Sequence, residues 1–289
     1  MYKLIFCLGS IVLVSNAKCN AQKTPQLVSP GLITNNNEYS TTLSPDGKTM
    51  YFVRQINDVD GSLILKTEKV NDKWSTPEKV SFTGVFSDTD PMLTPDGKTM
   101  YFMTNRNAHQ DGSKDDYDIW ATNLIEGQWG KPYRLPDFIN TSFTEGFPCI
   151  TSDGSMFFFR FNSNNSDQDI WYSEKIGGGF DTPHKLRGEI NTEKWDGHPF
   201  VDANKEYMIF YSSKREGGYG SCDLYISFYT DGNWGKPKNL GDVINKDTCE
   251  MVPFVTRDGN TLYFSRIEKD GGRNIYQIDF SQIKEGIKE

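Results

Sequence analysis

Ser44-Pro-Asp-Gly-Lys-Thr-Met-Tyr-Phe52 returns almost unchanged as Thr94-Pro-Asp-Gly-Lys-Thr-Met-Tyr-Phe102. Three weaker copies follow: Thr151-Ser-Asp-Gly-Ser-Met-Phe-Phe-Phe159, Asp202-Ala-Asn-Lys-Glu-Tyr-Met-Ile-Phe210 and Thr256-Arg-Asp-Gly-Asn-Thr-Leu-Tyr-Phe264. The turn residues Asp46, Asp96, Asp153, Asn204 and Asp258 stand 50, 57, 51 and 54 residues apart. A strand-rich unit at a period near fifty specifies a propeller or an array.

The second copy serves as template. Asp90–Leu93 is a short strand, and Thr94-Pro-Asp-Gly is a turn in which Pro presets φ, Asp bonds nearby backbone and Gly accepts a positive φ. Thr99–Thr104 is the second strand, Asp118–Thr122 the third and Lys131–Leu135 the outermost, where Pro132 is tolerated at an edge. Four antiparallel strands make one propeller blade. The third strand recurs at Ser62, Asp169, Asp223 and Asn274. The fourth segment recurs as Trp74-Ser-Thr-Pro77, Phe180-Asp-Thr-Pro183 and Trp234-Gly-Lys-Pro237, its leading aromatic read as packing between blades.

The fifth copy lacks this last segment, and only a short charged tail follows Phe280. Thr24-Pro-Gln-Leu-Val28 matches Thr76-Pro-Glu-Lys-Val80, so the N-terminal strand is expected to complete the last blade and close the ring, leaving no free edges. The fold expected is all-β: a five-bladed β-propeller of four-stranded antiparallel blades, spanning about 36–80, 87–135, 143–186, 194–240 and 248–280 plus 24–28.

Lys3 followed by the short apolar run Leu4–Ser15 reads as a signal peptide over residues 1–21, cleaved after Ala21 in preference to Ala17, with a lipid anchor at Cys19 as the rival reading. Residues 22–289 then form one propeller domain, periplasmic, secreted or at the cell surface, with no transmembrane segment and expected to be a monomer. Losing Lys3 and Lys18 moves the net charge from −8 to −10, which argues against a nucleic-acid partner. Cys149, Cys222 and Cys249 remain, too few for a disulfide framework. Cys222 and Cys249 fall toward one face of adjacent blades, so export permits a bond between them, subject to their Cα separation.

The units resemble the TolB-like, WD-repeat-like propeller repeats, whose marker is an acidic residue, Pro, Ser-Pro-Asp-Gly-Lys, a Tyr-Phe strand and Asp-Ile-Trp or Asp-Ile-Tyr. The connectors Phe138-Ile-Asn-Thr141, Glu189-Ile-Asn-Thr192 and Val243-Ile-Asn-Lys246 look like copies in exported proteins of Bacteroidetes-type bacteria. The fourth copy departs most, with Ala203-Asn-Lys in place of Pro-Asp-Gly. The resemblance spans essentially the whole mature chain. It implies a periplasmic or surface propeller used for protein contacts, without implying a common reaction.

Eight residues before each turn residue stands an acid: Glu38, Asp88, Glu145, Asp196 and Glu250. This register opens the innermost strand, which puts the carboxylates near one mouth of the central channel. One reading makes them hydrogen-bond acceptors that cement the ring, and this is preferred because every blade repeats them. The other makes them a binding site for a cation such as calcium or for a cationic ligand. Arg54, Arg160 and Arg266 follow the Tyr-Phe strand in three blades, and Arg106 and Arg215 lie slightly later in the other two; an arginine–carboxylate network is the expected arrangement, an anion clamp the alternative. His198 breaks the repeat near the same mouth, as a satisfied structural residue or a general acid/base or metal group. His109 and His184 lie in other blades, which disfavours a three-histidine metal site.

No Gly-x-Ser-x-Gly, His-Glu-x-x-His or phosphate-cradling glycine loop occurs, so no catalytic residue is assigned and no cofactor is expected beyond a channel cation. The leading functional reading is a non-catalytic propeller binding a protein or peptide of the cell envelope. The alternatives are a carbohydrate-active enzyme with axial carboxylates, for which the acids are too regular, and a cation or small-ligand module.

Overall fold

The computed structural model describes residues 24–56, 61–162 and 167–288. The signal-peptide and Cys19 expectations fall outside them. The described chain is all-β apart from one terminal helix, and its ladders are almost all antiparallel.

Five units repeat one meander. In unit 1, Glu38–Leu43 pairs with Thr49–Ile56, which pairs with Gly61–Val70, which pairs with Glu78–Lys79. Unit 2 runs Asp88–Leu93, Thr99–Arg106, Ser113–Ile125 and Tyr133–Arg134. Unit 3 runs Glu145–Ile150, Met156–Phe161, Gln168–Ser173 and His184–Lys185. Unit 4 runs Asp196–Val201, Tyr207–Ser213, Cys222–Thr230 and Lys238–Asn239. Unit 5 runs Cys249–Val255, Thr261–Ile267 and Arg273–Asp279, and Gln26–Leu27 pairs with its third strand as Gln26 to Gln277 and Leu27 to Tyr276. The first strands of successive units touch, and the fifth also touches the first.

The turn that opens each second strand explains its sequence. Ser44 Oγ donates to Asp46 Oδ1 at 2.6 Å, the Lys48 amide donates to the same oxygen, and Gly47 takes φ 68°. In unit 4 Lys205 holds the equivalent place at φ 60°, a conformation that penalises a Cβ, and its ammonium reaches Asp153 of unit 3 at 2.5 Å. One Phe of each second strand is core: Phe52, Phe102, Phe158, Phe210 and Phe264 are all buried, Phe158 standing one place before the end of its copy because that turn is one residue shorter.

Two local expectations change. The segment opened by Trp74, Trp129, Phe180 or Trp234 is a tight hairpin on or just after the third strand, and the outermost ladder forms only after the proline, which has no N–H to donate. Its aromatic reaches the preceding unit: Trp129 against Tyr51 at 5.9 Å, Phe180 against Tyr101 at 6.3 Å and Trp234 against Phe157 at 5.9 Å between ring centroids. The charged tail is a helix, α1, Ser281–Lys288. Ile283 and Ile287, four apart and so on one helical face, pack on the core, and the Asp279 carboxylate accepts from the Ser281 amide at 3.0 Å at its start.

Each first strand carries a bulge two residues after its acid. Ser40, Asp90, Phe147, His198 and Val252 have φ of 48°, 49°, 48°, 48° and 55°, and the ladder register shifts there in every unit. Such a conformation is costly for a β-branched residue such as Val252. The bulge turns this column of side chains out of the regular alternation of the strand.

Candidate functional site

The repeated acids are buried and committed. Arg54 Nε meets Glu38 at 2.6 Å, Arg106 Nη2 meets Asp88 at 2.5 Å, Arg160 Nε meets Glu145 at 2.8 Å, Arg215 Nη2 meets Asp196 at 3.1 Å and Arg266 Nε meets Glu250 at 2.6 Å. The carboxylates also grip the incoming connector. Glu145 accepts from the Thr141 amide at 3.0 Å, Asp196 from the Thr192 amide at 2.6 Å and Glu250 from the Lys246 amide at 3.0 Å. The arginines donate back to connector carbonyls, as Arg160 does to Ile139 and Arg266 to Ile244. Each guanidinium also lies over ring faces, Arg160 at 4.5 Å from Trp171 and Arg266 at 4.6 Å from Tyr276. Burial pushes the Glu145 carboxyl up to about 7 and raises Asp88 and Glu250, against the pull of their arginines.

The Ile-Asn motif has its own task. The Asn140 amide accepts from Ile119 N and donates to Ile119 O, both at 2.8 Å, so it pairs with a third strand as another strand residue would. Asn191 does the same with Ile170 and Asn245 with Leu224.

A cavity of about 520 Å³ opens between the first strands, lined by residues of all five units. Of the six residues expected at the channel mouth, His198 lines it; the five repeated carboxylates are absent from its described lining. The lining comes from the columns in which the five copies disagree. From the bulge come Asp90, His198 and Val252; from the position before it come Tyr39, Thr89 and Met251; from the third-strand position just before Asp118, Asp169, Asp223 and Asn274 come Tyr117, Gln168, Cys222 and Arg273. Gly146 and Gly197 fill two such positions because a Cβ there would meet Met103 Sδ at 2.4 Å or the Gln168 amide at 2.9 Å.

The wall of units 3 and 4 is aromatic. Phe159 packs edge-on to Phe161 at 5.7 Å, and Phe161 edge-on to Trp195 at 5.5 Å. His198 sits against Tyr211 at 4.6 Å, Phe147 at 5.1 Å and Phe159 at 5.4 Å, and its Nδ1 is buried without a hydrogen-bond partner. Burial, helped by the Arg273 charge, pushes the imidazole down to about 3, so it is neutral at pH 7. Tyr211 donates to Gln168 Oε1. Asp90 is the one carboxylate in the described lining, and burial pushes it up to about 6. The Arg273 guanidinium makes no ion pair among the described residues and lies 4.9 Å from the Tyr39 ring centroid. Asp90 and Arg273 were legible as departures from the repeat, the signal that singles out His198; without an aligned column neither stands out.

Cys222 and Cys249 are disulfide-bonded at a Cα separation of 4.6 Å, at the cavity rim and on the single parallel bridge between units 4 and 5. Cys149 is free and buried. Among the described residues no group of three or more His, Cys, Asp or Glu forms a metal-binding arrangement, and no helix is long and apolar enough to cross a membrane.

Four-stranded meanders arranged with neighbouring first strands are the architecture of β-propellers, and solved propellers are what the chain resembles. TolB from Acinetobacter baumannii matches at 14% identity and TM-score 0.51 over 84% of this chain and 54% of that one, so the chain spans about half the length of TolB. A GH43 endo-arabinanase from Bacillus licheniformis matches at 14% identity and TM-score 0.53, over 85% of this chain and 94% of that one. A protein of unknown function from Dyadobacter fermentans matches at 13% identity and TM-score 0.54, over 89% and 82%. No protein-family model and no curated relative matches the chain. At these identities the likeness establishes a β-propeller fold and nothing of the chemistry.

Proposed function

We propose that this chain is an exported, non-catalytic, five-bladed propeller that binds a protein or peptide of the cell envelope at the face bearing the central cavity. In this reading residues 1–21 are the signal peptide and 22–289 one domain, with Gln26–Leu27 as the outer strand of the last blade. The pairing of that strand with Arg273–Asp279 and the contact between the first strands of units 1 and 5 support a closed ring. The disulfide is compatible with a periplasmic or secreted location.

One observation carries the binding reading: the cavity is a largely apolar concavity with one aromatic wall and a few polar groups, the usual make-up of a recognition site. Trp195 is 42% exposed at its rim, and Phe138, Tyr219 and Val243 are exposed on the connectors and loops of the same face. The repeated acids are occupied by arginines, which favours cementing over cation binding. The carbohydrate-active alternative draws on the arabinanase-like fold. Glycoside cleavage needs two carboxylates within roughly 5–10 Å, and the described lining offers Asp90 alone.

The test pairs capture with turnover. Immobilised wild-type protein should retain one envelope protein in stoichiometric yield, and Phe161→Ala/Trp195→Ala should lose it while still unfolding in one cooperative transition. Turnover of arabinan or another polysaccharide, abolished by Asp90→Asn, would replace this reading with the enzymatic one.

A further inference from the structure

The cavity holds one cation and one carboxylate that feel each other's charge without meeting, the carboxylate being hydrogen-bonded by Ser40 and Thr89. Arg273 and Asp90 both line it, yet no ion pair joins them within 4 Å. This contrasts with the arginines of the five repeated pairs, each held by a carboxylate at 2.5–3.1 Å. Beside them stands an apolar wall of Phe159, Phe161 and Trp195, and the buried Nδ1 of His198 lacks a partner. A buried polar atom without a partner marks a surface that the protein's own groups leave unfinished.

These charges select a ligand class. A guanidinium beside aromatic surface binds a carboxylate well, through charge-assisted hydrogen bonds in a poorly hydrated place. A dianionic phosphate is disfavoured, because Asp90 faces the same space. A ligand that carries an N–H donor next to a single carboxylate answers both groups. An apolar side chain on the same carbon would lie on the aromatic wall. That combination is an α-amino-acid unit with a free carboxylate.

We propose that the central cavity binds the carboxylate end of an α-amino-acid unit, the carboxylate on Arg273, the adjacent N–H on Asp90 and an apolar side chain against Phe159, Phe161 and Trp195. The proposal rests on the reading of this face as a peptide-binding surface and names the part of the peptide it grips. Two sources carry the same chemistry: the C-terminal residue of a polypeptide, whose N–H is an amide, and a free amino acid, whose N–H is an ammonium.

The experiment titrates the mature protein with three probes while following tryptophan fluorescence and heat. They are a hexapeptide ending in Phe with a free carboxylate, the same peptide as its C-terminal amide, and free phenylalanine. The free-acid peptide should bind at least tenfold more tightly than the amide. Arg273→Gln should lose at least tenfold in affinity for the acid while keeping its melting temperature, since its guanidinium makes no ion pair among the described residues. Asp90→Asn should lose a few-fold. Free phenylalanine binding as tightly as the peptide acid assigns the site to amino acids; much weaker binding assigns it to chain termini. Equal binding of acid and amide, binding untouched by Arg273→Gln, or no binding of any probe overturns the inference. Envelope-protein capture that survives Arg273→Gln in those cases leaves the partner-binding reading standing, so the two fail separately.

Discussion

The side chains repeated in every unit and those that differ between units occupy different places and do different work. Glu250 and Arg266 stand for the first kind: a buried carboxylate held at 2.6 Å by a guanidinium, the pair gripping the backbone at Lys246 and Ile244. Asp90, His198 and Arg273 stand for the second: they face a cavity, lack mutual ion pairs and sit in columns where no two blades agree. Units that meet through the same kind of joint need the same clamp at each joint, which shows in the sequence as a repeat. A ligand has no fivefold symmetry, so a site on the axis erases one.

The largest effect separating the two kinds should come from the joint where the chain ends meet. Removing residues 22–30 deletes the Gln26–Leu27 ladder and Val28, which is 1% exposed and donates to Ile275 O at 3.0 Å. Loss of that burial and its hydrogen bonds should cost about 5 kcal/mol. A truncated protein that melts at the wild-type temperature would refute ring closure. Next comes a joint within the chain. Arg106→Met leaves Asp88 buried without its charge partner and removes the cation stacked near Phe86, Phe102 and Trp120. Such a change costs about 3–5 kcal/mol. Chemical denaturation should place the other four arginines of the set in the same class, with Arg54, the most exposed at 36%, mildest.

Those joints explain what was legible in the sequence. The Pro-Asp-Gly turns, the Tyr-Phe strands and the fivefold acid register follow from local rules that each copy repeats, so architecture could be read without coordinates. The position of the acids relative to the channel could not. Strand alternation alone does not say that the residue two positions on, rather than the acid, faces the axis; the bulges at Ser40, Asp90, Phe147, His198 and Val252 decide it. The outer strands were also hard to bound, because two-residue ladders such as Tyr133–Arg134 have no periodicity of their own. The helix Ser281–Lys288 hid behind its charges, its apolar face being only Ile283 and Ile287.

The disulfide sharpens the comparison from the other side, since Cys222 holds the column occupied elsewhere by Tyr117, Gln168 and Arg273. A covalent tie here does in one joint what ion pairs do in all. The bonded cysteines lie 27 residues apart, and closing a loop of that size should contribute about 3 kcal/mol. The Cys222→Ser/Cys249→Ser protein should unfold correspondingly earlier in urea. Thiol labelling of denatured, unreduced wild-type protein should find, of these three cysteines, Cys149 alone.

The effect most specific to the cavity is small at any one pH step, because its two titrating residues pull stability in opposite directions with pH. Asp90 titrates near 6 in the fold instead of 3.8, so its contribution is fully present below about pH 4 and is lost as pH rises through 6. His198 is pushed from 6.5 to about 3, so its contribution is present above about 6.5 and is lost as pH falls toward 3. Between pH 4 and 6 the two tilts oppose each other. Asp90→Asn removes one tilt: relative to wild type, its stability should climb with pH, by up to about 1.4 kcal/mol per unit, and exceed wild type at pH 7. His198→Phe removes the other and should fall over the same interval. Urea midpoints at pH 4, 5, 6 and 7 measure both. Parallel curves for the two variants would mean that the cavity residues are as well solvated as surface groups, and the contrast between sealed joints and an unsatisfied axis would lose its electrostatic basis.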